Sequence, residues 1–335
     1  MDARELKTVK KTKFTWSWLW SMPVRLALLL AMSWFIYYEA QLVIPQEADY
    51  LEKWSGLLKA HQVEVILCLL LLPVNVIFEA LKWKTAVQSF HKLNLWPAVK
   101  SILFGNTLGI FTPAKSGEYA GRLLHLQMRE SPPGIMANLY CSLAQNAVNL
   151  LIGGICFGLN TKFNTLIDNS LTLGMVTFSM ILTLLMLMVY FNLGTLFGFV
   201  QEKFQRFFKS FSVLGDEILN SHQKVNILSW SLLRYLVYAL QYVLICKAFN
   251  FDLSIVQLLQ GIGVIFLIQS MLILPPVMSL IARGETALLV WSVFGVEADK
   301  ILLASLTLWM INVLIPAIAG TGVYSLHKYR GVKAV

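Results

Sequence analysis

Stretches near residues 20–40, 63–83, 134–158, 171–192, 226–248 and 300–325 are long runs of predominantly apolar positions. At 1.5 Å per residue, a run of about twenty residues reaches about 30 Å, the thickness of a hydrocarbon core. Backbone groups in lipid have no water to bond, so each run predicts a membrane-spanning helix. Two more apolar stretches, near 98–126 and 255–296, are broken midway by proline and glycine. Each reads as a re-entrant helical hairpin, and the longer second stretch also has room for a true pair of crossings. The expected fold is therefore an all-α polytopic membrane protein with about six full spans and two Pro/Gly-broken hairpins.

Lysine and arginine in the connections set the sidedness, because positive loops stay cytoplasmic. Arg4, Lys7, Lys10, Lys11 and Lys13 place the amino terminus inside. Trp16, Trp18 and Trp20 then mark the interface of an uncleaved first span, since no small-residue cleavage site follows. Glu39, Glu47, Asp49 and Glu52 outweigh Lys53 and Lys59 in the next connection, which is external. Lys84, Lys92, Lys100, Lys115, Arg122 and Arg129 return the chain to the cytoplasm. The loop around Lys162 and Asp168 is external, the 193–225 connection with Lys203, Arg206, Lys209 and Lys224 is internal, and Lys328, Arg330 and Lys333 keep the carboxyl terminus inside. These signs divide the chain into a basic cytoplasmic segment at 1–19, one transmembrane domain at 20–325 and a basic cytoplasmic tail at 326–335.

The two broken stretches resemble each other. In the first, Phe90, Leu93, Asn94 and Leu95 lead through Gly105 and Gly109 to Thr112-Pro113-Ala114-Lys115-Ser116-Gly117-Glu118. In the second, Phe249, Phe251, Asp252 and Leu253 lead through Gly261 and Gly263 to Leu274-Pro275-Pro276, and then to Ala282-Arg283-Gly284-Glu285. The spans before them cross in opposite directions by the charge argument, so segments 63–126 and 226–296 are expected to be inverted repeats. Broken helices at matching places in such repeats point to a transporter site near the repeat interface.

Composition narrows the chemistry. Of 335 residues, 57% are hydrophobic and 13% charged, which leaves no stretch able to form a water-soluble catalytic core. Cys68, Cys141, Cys156 and Cys246 lie in apolar segments without zinc or redox spacing and read as packing residues. The net charge of +9 reflects cytoplasmic loops facing anionic headgroups rather than nucleic acid. No phosphate-binding glycine loop, nucleophile elbow or HExxH sequence is present, so neither cofactor, metal nor catalytic residues are expected.

Polar residues inside the apolar segments are the candidate site. Asn138, Ser142, Gln145 and Asn149 share one helix face, serving either interhelical hydrogen bonds or a headgroup path. Ser231, Arg234, Tyr238 and Gln241 form a second stripe, in which Arg234 either snorkels to the interface or meets a phosphate bidentately. Glu118 and Glu285 follow the breaks, with Lys115, Arg122 and Arg283 nearby; they either cap helices or orient a polar headgroup. Glu79 and Lys82 read as an interfacial pair.

The run Gly105-Asn106-Thr107-Leu108-Gly109-Ile110-Phe111-Thr112-Pro113-Ala114-Lys115-Ser116-Gly117-Glu118, followed by Arg122, resembles the first signature of a flippase-like membrane family. That family is related to the transmembrane domain of lysylphosphatidylglycerol synthases. Leu274-Pro275-Pro276 through Gly284-Glu285 is similar to the second signature, and Lys82-Trp83 stands where the family has a basic residue and tryptophan closing the second span. The second signature carries Met278 to Ala282 where small residues and glycines are usual. The 134–158 span carries Gln145, Asn146 and Asn149 where ionised residues are frequent. No aminoacyl-transferase domain accompanies the spans, so synthase activity is not implied.

The resemblance implies lipid or glycolipid translocation in the cytoplasmic membrane rather than enzymatic activity. The expected substrate-contacting residues are Lys115, Glu118, Arg122, Arg234, Arg283, Glu285, Asn106, Gln145 and Asn149. Membrane lipids are the expected partners, either an anionic phospholipid or a lipid-linked saccharide. The alternatives are a polyprenyl-phosphate-dependent glycosyltransferase using Glu47, Asp49 and Glu52, or a membrane subunit of a lipid-modifying system.

Overall fold

The computed structural model describes residues 34, 50–110, 112, 116–127, 130–160, 162, 168–203, 218–271 and 276–322. The chain divides into two units, 1–42 and 43–335. The expected span at 20–40, both basic termini, Lys115 and the Leu274-Pro275 break lie outside the described residues.

Regular structure among the described residues is helical throughout. In order the helices are α1 (Tyr50–Ala60), α2 (Gln62–Val87), α3 (Leu95–Ile110), α4 (Ser116–Arg122), α5 (Ser131–Leu159), α6 (Asn169–Phe191), α7 (Leu193–Lys203), α8 (Ser221–Ala248), α9 (Ile255–Met271), α10 (Pro276–Trp291) and α11 (Ala298–Trp309). Helices α1 to α11 all belong to the second unit. A π-helical turn at Met310–Leu314 continues α11, so that the helix runs to Gly322. Among the described residues, five helices are long and apolar enough to cross a membrane: α2, α5, α6, α8 and extended α11. They coincide with the sequence-predicted spans. Helices α3 and α9, of 16 and 17 described residues, extend about 24–26 Å.

Local chemistry sets the helix ends. Asn220 opens α8 with a capping box: its side chain accepts from Gln223 N–H while the Gln223 side chain accepts from Asn220 N–H. The same helix closes on Asn250 in the left-handed conformation, φ 55°. Asn250 N–H donates to Lys247 O and Phe251 N–H to Cys246 O, which satisfies two orphan carbonyls. The matching end of α2 closes differently, with Phe90 and His91 N–H both donating to Val87 O. Lys224, expected as a loop cation, instead lies buried in the first turn of α8. Its Nζ donates to Phe191 O at 2.7 Å, and Tyr190 Oη donates to Lys224 O at 2.7 Å, tying the end of α6 to the start of α8.

Close backbone approach fixes the first broken segment. A Cβ on Gly121 would run into the backbone of Gly105, so α4 lies directly against α3. On the far side of α3, Thr107 Oγ1 donates to Ala317 O at 2.7 Å, and Gly320 leaves no room for a Cβ against Leu103 O. Helix α3 is thus packed between α4 and the end of extended α11.

Two apolar cores fill this unit. One joins α8, α9, α10 and α11 through Phe251, Leu258, Ile265, Trp291 and Ile301; the other joins α2, α3 and α5 through Trp83, Ile102, Met136 and Tyr140. Helices α2, α5 and α8 contribute to both. On α5 the change falls between Ala144 and Val148, and on α8 between Ile227 and Tyr235. Polar residues occupy that boundary.

Candidate functional site

Glu79 sits at the boundary between the cores on α2, 4% exposed. Three cations surround it. Arg122 Nη2 of α4 donates to Glu79 Oε1 at 2.6 Å; Lys82 Nζ lies 2.7 Å and Arg234 Nη1 of α8 lies 3.0 Å from Oε2. Arg122 Nη2 also donates to Glu118. A carboxylate removed from water is expensive unless paired, and here every neighbouring charge opposes it.

Amide side chains extend the cluster across the bundle. Gln145 Oε1 of α5 accepts from Lys82 Nζ at 3.3 Å and from Arg234 Nη1 at 3.4 Å. Its Nε2 faces Asn149 Oδ1 and Ser231 O at 3.4 and 3.3 Å, and Asn149 Nδ2 donates to Ser270 Oγ of α9 at 3.0 Å. Asn75 Oδ1 accepts from Arg234 Nε at 2.9 Å, and its Nδ2 approaches Gln241 Oε1 and Asn312 Oδ1, each at 3.3 Å. Asn312 belongs to the π turn of α11. A continuous polar belt therefore runs from α4 through α2, α5 and α8 to α9 and α11.

The belt resolves several open alternatives and corrects one expectation. Arg234 points inward onto Asn75, Glu79 and Gln145 instead of snorkelling outward. Gln145 and Asn149 do make interhelical hydrogen bonds, but with cationic and hydroxyl partners of the same belt. Glu79 and Lys82 are not an interfacial pair; both are buried at its centre. Asn75, Glu79 and Lys82 recur at offsets of four and three, the single-face spacing that would have exposed their common role in the sequence. Asn312 and Ser270 lack such a signal, because the π turn and the fold bring them in.

The remaining candidates stand apart. Half-buried Arg283 of α10 donates from Nη1 to Tyr238 Oη of α8 at 3.3 Å, and Glu285 is exposed. Asn106 is half-buried on α3. Glu52 lies in the first turn of α1, while Glu47 and Asp49 fall outside the described residues. No group of three metal-ligating side chains occurs among the described residues.

The belt is not uniformly sealed or satisfied. The Arg234 side chain is 32% exposed and that of Glu118 25%, more than the buried Glu79, Lys82 and Arg122. In contrast, Arg122 Nε and Nη1 and Trp83 Nε1 are buried donors without an acceptor, and the Arg122 guanidinium stands 5.8 Å from the centroid of the Trp83 ring. Buried donors of this kind mark sites that an acceptor can fill.

A family model described as lysylphosphatidylglycerol synthase TM region matches residues 22–320. Neither curated proteins nor solved structures gave a match. The matched region contains every helix of the belt. This multi-pass membrane protein belongs to the lysylphosphatidylglycerol synthase transmembrane-region family, a family concerned with membrane lipids.

Proposed function

We propose that this protein is a flippase-like translocator, in which a lipid headgroup passes by way of the polar belt while its acyl chains remain in the bilayer. The observation that carries the reading is the buried Glu79–Lys82–Arg122–Arg234 cluster, set between two apolar cores and bordered by the first broken segment. Ionisable groups at such depth are costly, and in membrane proteins they mark substrate or ion paths.

The order of elements supports an internal repeat. Helices α2, α3 and α4 are followed by α5 as α8, α9 and α10 are followed by α11, and the turns at 88–94 and 249–254 have nearly equal length. Under this reading the repeats are inverted, the protein resides in the cell membrane, and both termini are cytoplasmic. Cysteines introduced at Asp168 and Lys209 check the sidedness. An impermeant thiol reagent added outside should label the first and spare the second; labelling of residue 209 from outside overturns the inversion.

The functional test is headgroup accessibility of a fluorescent phospholipid in proteoliposomes. Wild-type protein should move the lipid, and Arg234→Gln should slow it about tenfold or more at little changed thermal stability, as expected when a transient interaction with the moving group is lost. Equal rates in wild-type, Arg234→Gln and protein-free vesicles would refute translocation.

A further inference from the structure

Lys82, Arg122 and Arg234 each touch Glu79, whereas Arg283 of α10 has no carboxylate partner among the described residues. Its one hydrogen bond runs from Nη1 to Tyr238 Oη at 3.3 Å, which leaves Nε and Nη2 uncommitted. Depth makes that arrangement costly. Tyr238 lies ten residues before the end of spanning helix α8 at Ala248, about 15 Å along the axis and about half the thickness of a hydrocarbon core. An arginine held at such depth without a carboxylate is rare, and in membrane proteins it marks a substrate or ion path. Its surroundings are ordered. The Tyr238 ring meets buried Phe266 of α9 edge-on with centroids 5.3 Å apart, and the hydroxyl, accepting from Arg283, keeps its own proton to donate. On α8, Tyr238 falls between Arg234 and Gln241 at offsets of four and three, so the three share one face. Both flanking residues belong to the belt.

We infer that Arg283 and Tyr238 form a second phosphate station outside the belt, one that holds the phosphate of a moving headgroup on the far side of its passage past Arg234. The inference rests on the translocation reading for its ligand. Nε and Nη2 make up the edge of the guanidinium fork that matches two phosphate oxygens, and the bond from Nη1 to Tyr238 leaves that edge open. The Tyr238 hydroxyl supplies a further donor beside it. Arg234 and Tyr238 stand one turn apart on α8, about 6 Å along the axis, so a phosphate released by the first arginine meets the second within a short step. The second broken segment thus acts on the headgroup from outside the ionic cluster.

The test uses the full chain in detergent and reads thermal stabilisation by three probes: dihexanoyl phosphatidylglycerol, its phosphate-free counterpart dihexanoylglycerol, and inorganic phosphate. Arg234→Gln serves as the background, because it removes the belt's partly exposed arginine and leaves the second station to be read by itself. In that background Arg283→Gln should weaken binding of the phospholipid probe about tenfold, and Arg283→Lys should recover part of the loss. Tyr238→Phe keeps the ring on Phe266 and should weaken binding about threefold; it carries the test if Arg283→Gln does not fold. Dihexanoylglycerol should bind all variants alike. Unchanged phospholipid affinity in both Arg283→Gln and Tyr238→Phe overturns the inference, and so does an equal loss for the phosphate-free probe, which would reduce the pair to packing. Inorganic phosphate binding as tightly as the phospholipid would assign the station to a soluble anion and overturn it too. Binding is read without transport. Phosphate-dependent binding through Arg283 with no lipid movement in vesicles would sink translocation alone; movement at the wild-type rate in Arg283→Gln would sink this inference alone.

Discussion

The two broken segments read almost alike in sequence, yet they do different work. Glu118 and Arg122, on α4 after the first break, enter the ionic cluster and connect it to α2. Arg283 and Glu285, on α10 after the second, stay outside it: one meets a tyrosine hydroxyl, and the other is exposed. The glycines before the two glutamates differ as well. A Cβ on Gly117 would collide with Leu108 O, whereas one on Gly284 would make an ordinary contact of 3.4 Å with Leu302. Similar local sequence thus accompanies different charge pairing at the two Gly-Glu sites.

This contrast is open to graded attack. The largest effect is expected at the centre of the belt, where Glu79→Gln leaves Lys82, Arg122 and Arg234 facing one another without their shared carboxylate. Unpairing a buried charge cluster costs about 3–5 kcal/mol, so thermal unfolding in detergent should shift strongly downward. Retention of the wild-type transition would show that the cluster is hydrated. Next comes the arginine pair. Arg122→Gln should destabilise by about 3 kcal/mol, because it removes the cation that Glu79 and Glu118 share, while Arg283→Gln removes one long hydrogen bond and should cost about 1 kcal/mol or less. Equal losses in denaturation of the two variants would erase the asymmetry.

Glycine replacement probes backbone packing instead of charge. Gly117→Ala should cost about 1–3 kcal/mol through overpacking against Leu108. Gly284→Ala, in a helix with room for the methyl group, should be neutral or slightly stabilising. Melting temperatures of the two variants, compared side by side, decide this. The smallest stability changes belong to the glutamates themselves. Glu118→Gln keeps an acceptor for Arg122 and should fold, yet slow lipid movement in proteoliposomes; Glu285→Gln should match wild type in both stability and rate. A defect in Glu285→Gln equal to that in Glu118→Gln would restore functional symmetry between the halves.

Hydropathy made most of the helical frame legible. Helices α2, α5, α6, α8 and α11 are long, predominantly apolar runs, and lipid forces such runs into helices whatever their tertiary partners. The belt was legible where its residues form a stripe on one helix, as Gln145 and Asn149 do, or lie deep in a span, as Arg234 does. It was obscured at Glu79 and Lys82, because a charged pair near the end of an apolar run has the same sequence pattern whether it faces headgroups or a neighbouring helix. Only the placement of α4 across that end, made possible by Gly105 and Gly121, removes the pair from water. The differing surroundings of Glu118 and Glu285 were illegible for a related reason. Each Gly-Glu pair follows a break, and its environment is supplied by helices remote in sequence.

The π turn at Met310–Leu314 places a demand on the chain beyond its contribution of Asn312. A π turn accommodates one residue more than the α-helix around it, so deleting one residue there restores α-helix with the residues beyond in register. Inserting or deleting a residue in the α-helical stretch after it instead rotates everything beyond by about 100°. Ala317 and Gly320 would then turn away from α3, and the carbonyl that receives Thr107 and the gap that admits Leu103 O would be replaced by neighbouring side chains. The terminal helix is therefore a counted register rather than a spacer. A single-residue insertion or deletion at residues 315–316 should be tolerated far less well than a substitution there, and a deletion within the π turn should be tolerated better than either, because it restores α-helix without turning Ala317 and Gly320.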